Sequence, residues 1–137
     1  MRVALDTNVL VSAVATRGLC ADVLNLVLAE HELIVGETVL AELKRVLRER
    51  IRVPVHVVAE VDNLLRQEAT VIPKVEPLRM RIRDKSDLAV LSEAVAGRAE
   101  VLVTGDKDLL ELPIAAPVQV MTPRTFWEQL RRAPRGR

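Results

Sequence analysis

The sequence predicts a three-layer α/β/α sandwich around a mainly parallel sheet, on three observations. Short, β-branched, continuously apolar runs recur along the chain, as a sheet buried on both faces requires. Longer segments between them carry apolar residues at helical spacing. The two kinds alternate within one chain of 137 residues, half of them apolar, which is enough for a single domain with a sizeable core.

The first strand is expected over 2–6 (RVALD). It runs into Asp6, Thr7 and Asn8, after which Val9, Leu10 and Val11 resume the apolar pattern and anchor a following helix. Cys20 falls in the apolar stretch LCADVLNLVL and reads as core. A second strand is expected over 32–35 (ELIV). In ETVLAELKRVLRER a helical stripe is made by Val39, Leu40, Leu43, Val46 and Leu47, with Lys44, Arg45 and Arg48 on the other side. VHVVAEVDNLLRQEA and DLAVLSEAVAG follow the same rule, the latter ending at Gly97 as a C-cap. Further strands are expected over 101–104 (VLVT) and 118–121 (VQVM), and a last helix over Pro123–Arg132 with proline in its first turn. PLRMRIRDK differs: Leu78, Met80 and Ile82 alternate with Arg79, Arg81 and Arg83, which predicts an extended segment with one apolar and one arginine face. No repeat or Gly/Ser linker divides the chain, so residues 1–132 are expected to form one domain, with 133–137 a basic, frayed tail.

Lys plus Arg number 20 against 19 for Asp plus Glu, so there is no global basic field and a nucleic acid would be held by local patches. The positive charge is mostly Arg, which suits bidentate phosphate contacts but follows more readily from a GC-rich genome or heat adaptation. One Trp, one Phe and no Tyr argue against base stacking along a groove. The single cysteine excludes an internal disulfide and a cysteine-based zinc site. His31 and His56 do not lie in a metal-ligand spacing. No apolar run approaches the roughly 18 residues of a membrane span, and the first strand leaves no room for a signal peptide. A soluble, cytoplasmic protein is expected.

The chemistry is carried by acids. Asp6 ends the first strand, and Asp106 directly follows another in VLVTGDKDLL, with Gly105 expected to free the turn between strand and acid. The C-terminal edge of a parallel sheet is where ligands bind, so these two face one crevice. Asp108, two residues on, is assigned to capping the short helix that begins near Leu109. Glu42 borders the apolar stripe of its helix, where an acid is poorly solvated. Asp87 opens the helix DLAVLSEAVAG, with Asp84 its N-cap. Each acid alone is more often a cap or a solvated edge than a ligand. Converging, they would repel and raise one another's pKa values, a penalty that a divalent cation removes. All-oxygen donors suit Mg²⁺ or Mn²⁺.

ALDTNVLVSA, ETVLAELKRVL, RDKSDLAVLSEAVAG and EVLVTGDKDLL resemble, in order, the acidic motifs of PIN-domain nucleases. They are most similar to the small prokaryotic toxin components of toxin–antitoxin systems, over nearly the whole chain. The resemblance implies a parallel sheet flanked by helices, and Asp6, Glu42, Asp87 and Asp106 as the catalytic, metal-holding acids. It makes Thr7, Asn8 and Thr104 the supporting polar residues. It also implies hydrolysis of single-stranded RNA, an antitoxin partner and a homodimer or higher homo-oligomer. Two departures stand out. Where such proteins often carry an RDPDDD-like run this chain has RDKSD, with Asp84 and Asp87 keeping the outer acids and Lys85 and Ser86 replacing the residues between them, and Gly36 stands where relatives often have a capping Ser.

The combined expectation is a metal-dependent endoribonuclease. Arg79, Arg81, Arg83 and Lys85, just before Asp87, are placed either on RNA phosphates or on a solvated edge. Two alternatives come from other classes. An aspartate-based phosphatase would need a second acid where Asn8 stands. A catalytically silent binding module would act only through a protein partner.

Overall fold

The computed structural model describes residues 1–112 and 118–132. The chain runs β1 (Arg2–Leu5), α1 (Thr7–Ala15), α2 (Leu19–Glu30), β2 (Glu32–Gly36), α3 (Glu37–Glu49), α4 (Val55–Glu68), β3 (Thr70–Ile72), α5 (Lys85–Ala96), β4 (Val101–Val103), α6 (Lys107–Leu110), β5 (Gln119–Met121) and α7 (Pro123–Arg132). The five strands are all parallel, in the order β3-β2-β1-β4-β5. Helices flank the sheet in the expected three layers: α2 and α5 pack on β2, α5 also on β3, and α3 bridges α1 and α5.

The strands are apolar throughout because both faces are covered. Val3, Leu5, Leu33, Ile34, Leu102 and Val103 are all at most 1% exposed. The α3 stripe is buried as its spacing requires, with Val39, Leu40, Leu43, Val46 and Leu47 inside. Gly97 caps α5, and its missing side chain matters for packing. A Cβ there would lie 2.6 Å from Ile34 Cγ2 and 2.8 Å from Ile72 Cγ1, so only glycine lets the end of α5 settle onto β2 and β3.

Several boundaries differ from expectation. β1 stops at Leu5 and β4 at Val103, and the next N–H of each still donates across the sheet, Asp6 to Val103 O at 2.9 Å and Thr104 to Met121 O at 3.0 Å, while their side chains turn to the crevice and Asp6 starts α1. β3 has only three residues and pairs with β2 alone, at the sheet edge, too short for alternation to announce it. α5 begins at Lys85, two residues before Asp87. In the segment before it, Leu78, Met80 and Ile82 are half-buried against the core while Arg79, Arg81 and Arg83 are exposed, the expected alternation without a strand. Gly105 does not need its freedom: its φ is not positive, and a Cβ would meet only Asn8 Nδ2 at 3.6 Å. No single described helix is long and apolar enough to cross a membrane. The tail expected over 133–137 lies outside the described residues.

Candidate active site

The strand order places the site. From β1 the chain builds β2 and β3 to one side, then returns to lay β4 and β5 on the other. A crevice therefore opens between the C-terminal ends of β1 and β4, which pair directly. Asp6 follows β1, and Thr104 and Asp106 follow β4.

Asp6 is both a helix cap and a buried acid. It is the N-cap of α1, and its Oδ1 accepts the Thr7 N–H at 2.7 Å. Its Oδ2 accepts the Thr104 hydroxyl at 2.6 Å, and Thr104 Oγ1 in turn accepts the Asp106 N–H at 3.0 Å. Thr104 is fully buried and so ties the two strand ends together. Burial pushes the Asp6 carboxyl above its ordinary range. The two hydrogen bonds oppose this, and the charges of Glu42 and Asp106 add to it.

Asp87 enters from α5. Asp84 caps that helix by accepting the Ser86 N–H at 2.7 Å, as expected, which leaves Asp87 in the first turn. Only 7% of Asp87 is exposed, and its buried Oδ2 has no hydrogen-bond partner among the described residues. Burial first, then the charges of Asp106 and Asp84, push its carboxyl up to about 7. One carboxylate oxygen from each of Asp87, Asp106 and Asp108 lies within 4.8 Å of the other two.

The roles expected of Asp106 and Asp108 need correction. Asp106, not Asp108, is the N-cap of α6, accepting the Asp108 N–H at 2.8 Å. The short helix starts at Lys107, two residues earlier than expected, which shifts the cap to the residue before it. Asp108 is half-buried and turns a carboxylate oxygen towards Asp87 and Asp106.

Glu42 reaches the same region from α3. It is half-buried, and its Oε2 accepts the Ser86 hydroxyl at 3.1 Å. Ser86, which replaces an acid of the resembling motif, thus holds one instead. Beside Glu42 a groove of about 510 Å³ runs between α1 and α3, lined by Thr7, Asn8, Val11, Ser12, Ala15, Thr16, Glu42, Val46, Arg50 and Ile51. Asn8 is exposed at its mouth. The buried Thr7 Oγ1 has no partner among the described residues.

Arg79, Arg81, Arg83 and Lys85 are all exposed. Their segment is pinned to α5 by the Leu78 N–H, which donates to Ser92 Oγ at 2.9 Å.

The donor set fits a hard divalent cation. Three carboxylates from two separated parts of the chain, Asp87 and the pair Asp106 and Asp108, converge, and Asp87 Oδ2 is buried without a partner among the described residues. None of the ion pairs among the described residues involves Asp6, Glu42, Asp87, Asp106 or Asp108. Buried anions without a countercharge are unfavourable, and oxygen donors answer to Mg²⁺ or Mn²⁺.

A family model for the PIN domain matches residues 2–108. No curated protein matches the chain. Among solved structures it is similar to VapBC2 from Rickettsia felis bound to a DNA fragment from its promoter. The identity there is 23%, with 88% of this chain and 98% of that one covered and a TM-score of 0.65. It is also similar to VapBC-1 from nontypeable Haemophilus influenzae, at 18% identity, covering 90% and 99% of the two chains with a TM-score of 0.62.

Proposed function

This chain belongs to the PIN-domain family, and from that premise we propose that it is a Mg²⁺- or Mn²⁺-dependent endoribonuclease acting on single-stranded RNA, the toxin of a toxin–antitoxin pair. The observation that carries the proposal is the partnerless Oδ2 of the buried Asp87, set among the carboxylates of Asp106 and Asp108. Asp6, Glu42, Asp87 and Asp106 hold the cation, and Asp108 joins them. When bound, the cation polarises the scissile phosphodiester and activates water for in-line attack.

The chain's own residues prepare that chemistry. Thr104 and the Thr7 amide fix both oxygens of Asp6, so its carboxylate does not reorient when a ligand arrives. Ser86 holds one oxygen of Glu42, Oε2, in the same way. Asn8, beside the acids and open to solvent, is placed to hydrogen-bond a phosphate or a water. Arg79, Arg81, Arg83 and Lys85 supply phosphate affinity that is indifferent to sequence. An antitoxin protein and a second copy of this chain are the partners expected. The two similar structures are of VapBC proteins, which supports the antitoxin reading.

The test is cleavage of a labelled single-stranded RNA by the purified chain. Cleavage that requires Mg²⁺ or Mn²⁺, stops with EDTA and is lost in Asp6→Asn is the expected result. Cleavage surviving both treatments refutes the mechanism, and no cleavage under any condition favours a silent binding module.

A further inference from the structure

Glu93 is an acid that the site does not use, and it is buried more deeply than any of the site's carboxylates, at 3% exposed. It sits on the inner face of α5 and reaches the N-terminus of α3. There it accepts the Thr38 N–H at 2.9 Å through Oε1 and the Thr38 hydroxyl through Oε2. The N-cap of α3 is Gly36, which has no side chain to offer and makes no cap hydrogen bond. A carboxylate from another helix thus satisfies a donor that the local sequence leaves orphaned, and it lies where the helix dipole favours negative charge.

The glycine is a condition of this arrangement. A Cβ at Gly36 would collide with Glu93 Oε1 and lie 2.7 Å from Glu93 Cβ and 2.8 Å from Cδ. Gly36 and Glu93 are therefore one device. The absent side chain lets α5 approach, and the approaching side chain replaces the absent cap.

The device lies between two helices that each carry an acid of the site. About two turns before Glu93 on α5 is Ser86, which donates to Glu42. Glu42 is about one turn after Thr38 on α3. The α3–α5 contact thus has two polar ends, Glu93–Thr38 and Ser86–Glu42, and only the second touches the acids. We propose that Glu93 is a positioning residue: by capping α3 from α5 it fixes where Glu42 stands relative to Asp87. The proposal depends on the cation reading for its consequence, though not for its geometry.

The test uses the full chain and Mn²⁺ alone as the probe, by titration calorimetry, together with hydrogen exchange of the Thr38 amide in EDTA. Glu93→Ala should weaken Mn²⁺ binding by about 10- to 100-fold, as loss of a residue that orients a ligand does. Glu93→Gln, whose carboxamide oxygen still accepts the Thr38 N–H, should restore most of that affinity. If Glu93 acts through Glu42, then Glu93→Ala in a Glu42→Gln background should cost no more than about 2-fold further, the usual tolerance of additivity. Thr38 should lose exchange protection in Glu93→Ala and keep it in Glu93→Gln. If Glu93→Ala does not fold, Thr38→Val removes one of the two bonds and carries the same comparison with Glu42→Gln. Effects of Glu93 and Glu42 that multiply in full, or a Glu93→Ala protein that binds Mn²⁺ like the parent, would overturn the proposal. Should the parent chain bind no Mn²⁺, the cation reading fails by itself, and the clamp is judged on Thr38 exchange: unchanged protection in Glu93→Ala rejects it.

Discussion

The Thr104 hydroxyl donates to Asp6 Oδ2 at 2.6 Å, joining the end of β4 to the end of β1 inside the protein. Because Thr104 also accepts the Asp106 N–H, one side chain sets the separation of two acids. Thr104→Val keeps the shape and removes the hydroxyl. It leaves Asp6 Oδ2 and the Asp106 N–H without their partner, which costs about 1–3 kcal/mol for a buried group. The variant should therefore melt lower at neutral pH and bind Mn²⁺ more weakly. Thr104→Ser, which keeps the hydroxyl, should recover most of both. Equal losses in the two variants would mean that the methyl group matters and the hydrogen bond does not.

Asp6→Asn should abolish cleavage while leaving the fold intact, with metal-free stability at neutral pH equal to or above the parent's. The retained Oδ1 still caps α1 through the Thr7 N–H, since Asn caps as well as Asp. The change removes a negative charge that burial first, then Glu42 and Asp106, disfavour, and the Thr104 oxygen can accept from the new amide N–H in place of donating. A thermal melt in EDTA beside an RNA assay in Mg²⁺ checks both halves. A protein that unfolds on this change would make Asp6 a structural cap alone.

Without metal, stability should rise as the pH falls. The Asp87 carboxyl is pushed up to about 7 in the folded protein, against 3.8 for an ordinary Asp. Between those values the folded state holds a proton that the unfolded chain has released, so acid favours folding; above pH 7 the full penalty of the buried charge remains. Asp6 is shifted in the same direction and adds to the trend. Melting temperature in EDTA should climb from pH 8 towards pH 5, and Asp87→Asn should flatten the slope and raise the value at pH 8. A saturating cation should reverse the trend, because it needs the deprotonated carboxylates. A slope that survives Asp87→Asn would place the titration elsewhere.

The acids at strand ends were legible because a parallel strand can end in only one kind of place. Asp6 after an apolar run, and Asp106 after another, point to the sheet's C-terminal edge without any knowledge of contacts, whereas Thr104 reads as the last strand residue and is singled out only by the resemblance. Glu42 could be read from its place at the margin of the α3 stripe. Which of Asp106 and Asp108 would cap α6 could not, since residues two apart in a turn exchange roles when the helix starts two positions earlier. Glu93 left no trace in the pattern, because an acid inside LSEAVA is explained only by Thr38, far away in sequence. Ser86 and Gly36 looked like departures from a motif, whereas each has a partner that gives it a use, Glu42 for one and Glu93 for the other. β3 was missed because three residues at a sheet edge carry no periodicity.

The arginine face before α5 should appear in the salt dependence of RNA binding. Arg79, Arg81 and Arg83 are exposed, and their half-buried neighbours Leu78, Met80 and Ile82 hold the segment in place, so alanine at the arginines should not disturb the fold. If each meets one phosphate, each substitution should reduce the slope of log K against log salt by about 0.7, the value for a single strand. Binding of different RNA sequences should weaken uniformly. Filter binding of the uncleavable complex, with Asp6→Asn as background, gives the slope. An unchanged slope in Arg79→Ala and Arg81→Ala would return these residues to the solvated edge.

Asp106 and Asp108 separate cleanly in two measurements, because the structure gives one of them two duties. Asp106 accepts the Asp108 N–H as the N-cap of α6, and its carboxylate also stands beside Asp87. Asp106→Ala should therefore lose about 1 kcal/mol of stability, the usual cost of a cap, and weaken Mn²⁺ binding as well. Asp106→Asn keeps the cap, so it should restore the stability and leave the affinity low. Asp108 has no capping duty, and its side chain enters the site only through the group it forms with Asp87 and Asp106. Asp108→Ala and Asp108→Asn should thus behave alike, with melting temperatures at or above the parent's in EDTA, where a like charge has been removed, and weaker Mn²⁺ binding. Thermal melts in EDTA and calorimetry with Mn²⁺ distinguish the four proteins. If Asp108→Ala destabilises while Asp108→Asn does not, the cap belongs to Asp108, and the helix begins where the sequence alone suggested.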